Sequence, residues 1–173
     1  MNKAILWASI FGVCVNGGLS LAEGGSIARI SESGEFIEIS QQVDGKTVQH
    51  SIPLYREGAV RYFSAGVGLE ERSAKYPLFP LKLVFTAGGK PFLAGVAVTI
   101  QPVKGGAALT IPEDRVEGPW LFVDLAPGQY DVTAVHGGSR QGLKGVTVEK
   151  GTQKMIQLRW PEDHGLTRPL PSE

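Results

Sequence analysis

The side chains in this sequence that could make or break bonds are histidine, serine, cysteine and paired carboxylates, and their spacing argues against each. His50, His136 and His164 lie far apart, without the short intervals that bring imidazoles onto one metal ion. Structural or solvated roles are expected for all three. Ser64 precedes Ala65-Gly66, but Tyr62 stands where a Gly-x-Ser-x-Gly elbow needs its first glycine, so Ser64 reads as a loop serine. Glu70-Glu71 and Glu113-Asp114 are neighbours in the chain. Acid–base carboxylates work across a cleft with separated pKa values, whereas adjacent ones mark solvated turns. Gly66-x-Gly68 and Gly105-Gly106 lack the Lys-Ser/Thr of a phosphate loop. The expectation is a non-enzyme with no catalytic residue, no metal ligand and no cofactor.

The opening segment predicts where the protein works. Met1-Asn2-Lys3 is a short basic start, and Ala4 to Val15 is apolar except for Ser9 and Gly12. Ser20-Leu21-Ala22 then places small residues where signal peptidase reads them, so residues 1–22 are expected to be a secretory signal cut after Ala22. The apolar run is shorter than the ~20 residues that span a bilayer, so no stable membrane anchor is expected and the mature chain is periplasmic or secreted. Cys14 is the sole cysteine. Val13 before it and Phe11 in place of the usual Leu do not fit a lipoprotein signal, so Cys14 reads as an incidental apolar residue. Cleavage leaves no thiol, hence no disulfide and no Cys nucleophile. It also removes Lys3 and no acidic residue, leaving 16 positive against 17 negative side chains. That balance excludes nucleic acid, which needs a basic face, and no Lys/Arg cluster offers itself to an anionic membrane.

The elements that must position everything else are strands. The 173 residues include 23 Gly and 11 Pro; Gly at about twice its usual ~7% share means many tight turns. Ile37, Ile39, Gln41 and Val43 alternate with polar residues, Asp44-Gly45 is the strongest two-residue hairpin signal, and Lys46, Val48, His50 and Ile52 alternate again. The turn pairs Ile37 with Ile52 and Ile39 with His50. A short strand is expected near Ile27 to Ile30. Residues 23–62 thus form an N-terminal β-hairpin extension and 63–80 a connector, with room for one or two helical turns between Leu69 and Lys75 before Pro77 and Pro80.

From Leu81 the strand signals become regular. They fall on Leu81–Phe85, Gly95–Gln101, Ala107–Ile111, Trp120–Asp124, Gln129–His136, Arg140–Val148 and Thr152–Trp160. A Gly88-Gly89-Lys90-Pro91 turn follows the first, and Pro127-Gly128 predicts a type II turn with Gly at φ > 0. Val96, Val98, Ile100, Tyr130, Val132, Ala134, Ile156, Leu158 and Trp160 are expected inward. Residues 161–173 read as a flexible tail.

Glu117-Gly118-Pro119-Trp120-Leu121-Phe122-Val123-Asp124-Leu125-Ala126-Pro127-Gly128-Gln129-Tyr130 resembles the core signature of carboxypeptidase regulatory-like domains. Gly89 to Val98 resembles their Gly-x-Pro-Leu-x-Gly-Val-x-Val segment with one extra residue at Phe92, and Val146-Thr147-Val148-Glu149-Lys150-Gly151 resembles their ending. Ala65 to Glu71 is more loosely similar to a stretch in small exported proteobacterial proteins that carry this domain. The resemblance covers about 81–160. It implies an all-β fold, a seven-stranded immunoglobulin-like (transthyretin-like) sandwich, with no catalytic residues of its own. Within it Trp120, Phe122 and Leu125 would point into the core beside Tyr130, with Pro127 and Gly128 at the turn.

Two functions follow as expectations. The first is a non-catalytic interaction module of the cell envelope that binds a protein by strand addition or through its loops. The alternative is a carbohydrate-binding module, for which Trp120 and Trp160 are the aromatic candidates; their inward phase favours core packing instead. Arg61, Tyr62 and Phe63 form the one cationic–aromatic cluster outside the sandwich pattern. It reads either as a partner contact or as a cover for the sandwich's open edge.

Overall fold

The computed structural model describes residues 26–88 and 93–161, and only the backbone of Val43. The expected export signal with Cys14, the expected turn through Gly89-Lys90-Pro91 and the expected tail with His164 lie outside the described residues.

The described residues are almost all β, with one short helix and one 3-10 turn among them. The first sheet holds β1 (Ile27–Ile30), β2 (Phe36–Val43) and β3 (Lys46–Pro53) in that order. Asp44 and Gly45 have φ of 51° and 74°, the pair of positive values a type I′ hairpin requires. This turn sets the expected register, Ile37 opposite Ile52 and Ile39 opposite His50. The outer side of β1 is tied down at Lys75, whose N–H donates to Ser26 O while Ala28 N–H donates to Lys75 O.

The second sheet is built from β4 (Tyr55–Glu57), β5 (Val60–Ala65), β6 (Leu81–Ala87), β9 (Trp120–Val123) and β12 (Lys154–Trp160), ordered β12-β6-β9-β5-β4. Within it β12 runs parallel to β6, Lys154 opposite Leu81 through Trp160 opposite Ala87. The third sheet holds β7 (Ala97–Pro102), β8 (Leu109–Ile111), β10 (Gly128–His136) and β11 (Ser139–Val148), ordered β11-β10-β7-β8. The helix α1 is Leu69–Ser73. All seven strands expected after Leu81 are present, within two residues of their expected starts and ends. The stretch expected to open the connector is instead strand: β5 runs to Ala65 and pairs with β9.

The five-stranded sheet lies between the other two; β5 and β9 are covered on both faces, whereas β12 keeps one face exposed, with Met155, Gln157 and Arg159 on it. Towards the four-stranded sheet it contributes Tyr62, Leu81, Leu83, Phe85, Leu121, Val123, Ile156, Leu158 and Trp160, which meet Val98, Ile100, Ile111, Val132, Ala134, Val146 and Val148. Towards the three-stranded sheet it contributes Phe63, Ala65 and Phe122, which meet Ala28, Ile37, Ile39, Ile52, Leu54 and Phe79. Each large apolar side chain sealed this way contributes roughly 1.5–3 kcal/mol.

This double burial corrects the expected phase of β9. Trp120 and Phe122 do not enter the larger core; Leu121 and Val123 do. Phe122 packs on the opposite face, stacked on Phe63 at a centroid distance of 4.6 Å and 6° between planes. Trp120 is half-buried beside it. A strand apolar at every position is the mark of a sheet covered on both sides, and the wide aromatics here fill the second layer. Leu125 and Tyr130 do join the larger core. The expected type II turn is also corrected. Gly128 has no positive φ and is already the first residue of β10, opposite Val148. The crossing from β9 to β10 is closed instead by the Tyr130 hydroxyl, which donates to Ala126 O at 2.7 Å.

Candidate functional site

A groove of about 220 Å³ runs between β3 and the segments around Ser64 and Gly118, lined by His50, Ile52, Ser64, Val67, Glu71 and Glu117 among others. Its polar side chains can be followed one by one. Glu71 is buried, 7% exposed, against the expectation of a solvated turn. It sits at the third position of α1, from which a carboxylate reaches back to the N–H groups ahead of the helix. Its Oε2 accepts from Gly66 N–H at 2.6 Å and Val67 N–H at 3.0 Å. Its Oε1 faces His50 Nε2 at 3.1 Å. A carboxylate accepts and does not donate, so Nε2 carries the hydrogen.

Ser64 is likewise not a loop serine. It lies in β5, buried, and its hydroxyl donates to Gly118 O at 3.2 Å while accepting from Gly118 N–H at 2.8 Å. Gly118 passes so close over Ala65 that a Cβ there would collide with the Ala65 carbonyl. The serine, the histidine and the glutamate therefore line one groove, yet Ser64 Oγ is bonded to backbone, not to the imidazole. The arrangement latches the β5–α1 loop to the outer sheet. Glu117 lines the same groove, is exposed, and its carboxylate has no partner among the described residues.

The cationic–aromatic cluster is taken apart by the alternation of β5. Arg61 bonds Asp124 Oδ2 through Nε at 3.0 Å. Tyr62 enters the larger core, where burial first and then the Glu57 charge raise its pKa. Phe63 is fully buried in the smaller core. The three residues thus present no common surface; they build the sheet's continuation past β9. Tyr76, its ring 4.9 Å from that of Phe122, donates its hydroxyl to Glu71 O at 2.9 Å. Its pKa is pushed well up, by burial first and then by the charges of Glu71 and Glu70.

Neither tryptophan of the described residues offers an open ring to a sugar. Trp160 is fully buried and donates Nε1–H to Ser139 O at 3.1 Å. Trp120 carries the Lys82 ammonium 3.7 Å from its ring centroid, and Gly66 lies so close that a Cβ would stand 2.9 Å from the ring. Burial lowers the Lys82 pKa. His136 Nδ1 bonds Gly95 O at 2.9 Å. Among the described residues no three His, Cys, Asp or Glu side chains gather as a metal set.

A second, larger hollow of about 360 Å³ lies where the edges of the two larger sheets approach, between the β4–β5 turn and the start of β8. Glu57, Gly58, Ala59, Val60, Ala107, Ala108 and Leu109 line it. Both β4 and β8 are terminal strands of their sheets, and Glu57 is its only charged residue.

Compared with family models, curated proteins and solved structures, the chain matches none.

Proposed function

We propose that this protein is an exported, non-catalytic interaction module of the cell envelope that binds an extended segment of a partner protein. The observation that carries the proposal is the apolar trough between β4 and β8. Two terminal strands flank it, and its lining of Ala59, Val60, Ala107, Ala108 and Leu109 offers shape and apolar surface but no reacting group. Strand addition suits such a place, because an unpaired edge supplies main-chain hydrogen bonds and a neighbouring hollow takes alternate side chains. The polar groups of the other groove support a non-catalytic reading too, since Glu71 and Ser64 spend their hydrogen bonds on backbone.

We read the four-stranded sheet with β6, β9 and β12 as the seven-stranded immunoglobulin-like sandwich of a carboxypeptidase regulatory-like domain. The support is the spacing from Glu117 to Tyr130, which delivers Leu125 and Tyr130 to the shared core. The N-terminal three-stranded sheet and the β4–β5 hairpin are additions to it.

The test is a photo-crosslinking residue placed at Ala108 in the full-length chain expressed in its envelope, with Lys150 as the control position. A discrete protein adduct from position 108 alone is expected. Equal labelling from both positions, or none from either, removes the proposal.

A further inference from the structure

The outer sheet ends in an edge strand of a different kind. β3 is eight residues long, it is the terminal strand of its sheet, and Lys46 through Ser51 are all exposed. Which of its backbone groups face outward can be worked out. Leu54 N–H donates to Glu35 O at 2.8 Å, and hydrogen-bonded pairs alternate along an antiparallel ladder. Ile52, His50, Val48 and Lys46 therefore bond to β2, while the N–H and C=O groups of Thr47, Gln49 and Ser51 point away from it. These three residues are symmetric about Gln49. An identical strand laid antiparallel along this edge would set Thr47 opposite Ser51 and Gln49 opposite itself, satisfying all of them under one twofold axis.

The same register decides where the charges go. It sets Lys46 of the second copy opposite Ile52. Even-numbered side chains of β3 point to the inner face, the face on which Ile52 is buried and His50 meets Glu71. That face opens into the groove lined by Glu117 and Glu71. Lys46 is the only lysine or arginine on β3 and has no partner among the described residues, and neither has Glu117.

We propose that β3 pairs antiparallel with β3 of a second copy through Thr47, Gln49 and Ser51, seating Lys46 of each copy beside Glu117 of the other. The two outer sheets then join into one continuous sheet. This edge is not the β4–β8 trough, so the dimer stands or falls independently of partner binding there.

Sedimentation equilibrium of the exported chain tests it. An interface this narrow associates weakly, with a dissociation constant on the order of 10 μM. Gln49→Pro removes an outward N–H that β2 does not use, a position at which an edge strand tolerates proline. It is expected to weaken the dimer at least roughly tenfold with an unchanged far-UV spectrum. Lys46→Glu is expected to weaken it about fivefold, and Lys46→Glu with Glu117→Lys to restore it, as a charge pair exchanged across an interface should. A chain that stays monomeric up to about 100 μM, or a dimer that survives both Gln49→Pro and Lys46→Glu, overturns the proposal.

Discussion

His50 Nε2 and Glu71 Oε1 lie 3.1 Å apart, joining the edge strand of the outer sheet to the helix that follows β5. The two ends of this contact are unequal. The Glu71 carboxylate also holds two N–H groups, those of Gly66 and Val67, whereas the imidazole is 46% exposed. Removing an acceptor that leaves buried donors unpaired costs about 1–3 kcal/mol, while a side-chain contact to a half-exposed ring is worth less than about 1 kcal/mol. Glu71→Ala should therefore lower the unfolding free energy in urea by about 3 kcal/mol, Glu71→Gln by about 1, and His50→Ala by less than 1. Equal losses from Glu71→Ala and His50→Ala would mean that the carboxylate does not anchor the loop.

Phe63 and Phe122 stack across neighbouring strands between the two layers. Truncating either to alanine opens a cavity in the smaller core and should cost about 3–5 kcal/mol. A double-mutant cycle should return a coupling of about 0.5–1.5 kcal/mol, the range for stacked rings beyond their buried area. A coupling near zero would place the two rings in separate packing environments.

The sequence shows why some of this was legible and some was not. The β2–β3 register followed from Asp44-Gly45, because a type I′ turn and alternation leave one solution. The strands after Leu81 followed from period-two patterns between glycines. Trp120-Leu121-Phe122-Val123 has no polar residue to mark its outer face, so the phase depended on whether a third layer existed, and nothing local in the chain says that it does. The role of Glu71 is hidden for a related reason. A glutamate after Gly66-x-Gly68 at the start of a helix is a signal for backbone capture, but adjacent Glu70 and Glu71 look alike until the loop folds back. Arg61-Tyr62-Phe63 forms a patch in sequence that strand alternation divides. In β5 the tyrosine and phenylalanine fall on opposite faces.

Two glycines of the Glu117–Tyr130 stretch should respond in opposite ways to alanine. At Gly118 a Cβ would strike the Ala65 carbonyl, a backbone atom that cannot rotate aside. Gly118→Ala should cost more than about 2 kcal/mol through displacement of β9 from β5. At Gly128 the nearest atoms are those of the Tyr130 ring, 3.5 Å away, an ordinary contact, and φ is not positive. Gly128→Ala should stay within about 1 kcal/mol of the parent in urea. A large loss at Gly128 would restore the type II turn with glycine at φ > 0.

Tyr76 gives the fold an alkaline limit. Its pKa lies above the ordinary value of 10.0, through burial first and the Glu71 and Glu70 charges second. Between pH 10 and the raised folded value, the unfolded chain releases the phenolic proton and the folded chain keeps it. The unfolded state then binds fewer protons, so stability falls as pH rises through this window. Tyr62 and Tyr130, also raised by burial, act in the same direction. Lys82 opposes them: burial lowers its pKa, so the unfolded state binds more protons just below pH 10.5 and stability rises there. Tyr76→Phe should lose about 1 kcal/mol at pH 7 from the missing bond to Glu71 O, yet decline less steeply than the parent above pH 10. Melting temperatures at half-unit steps from pH 8 to pH 11 would show the two curves converging. Parallel curves would mean that Tyr76 ionises alike in both states.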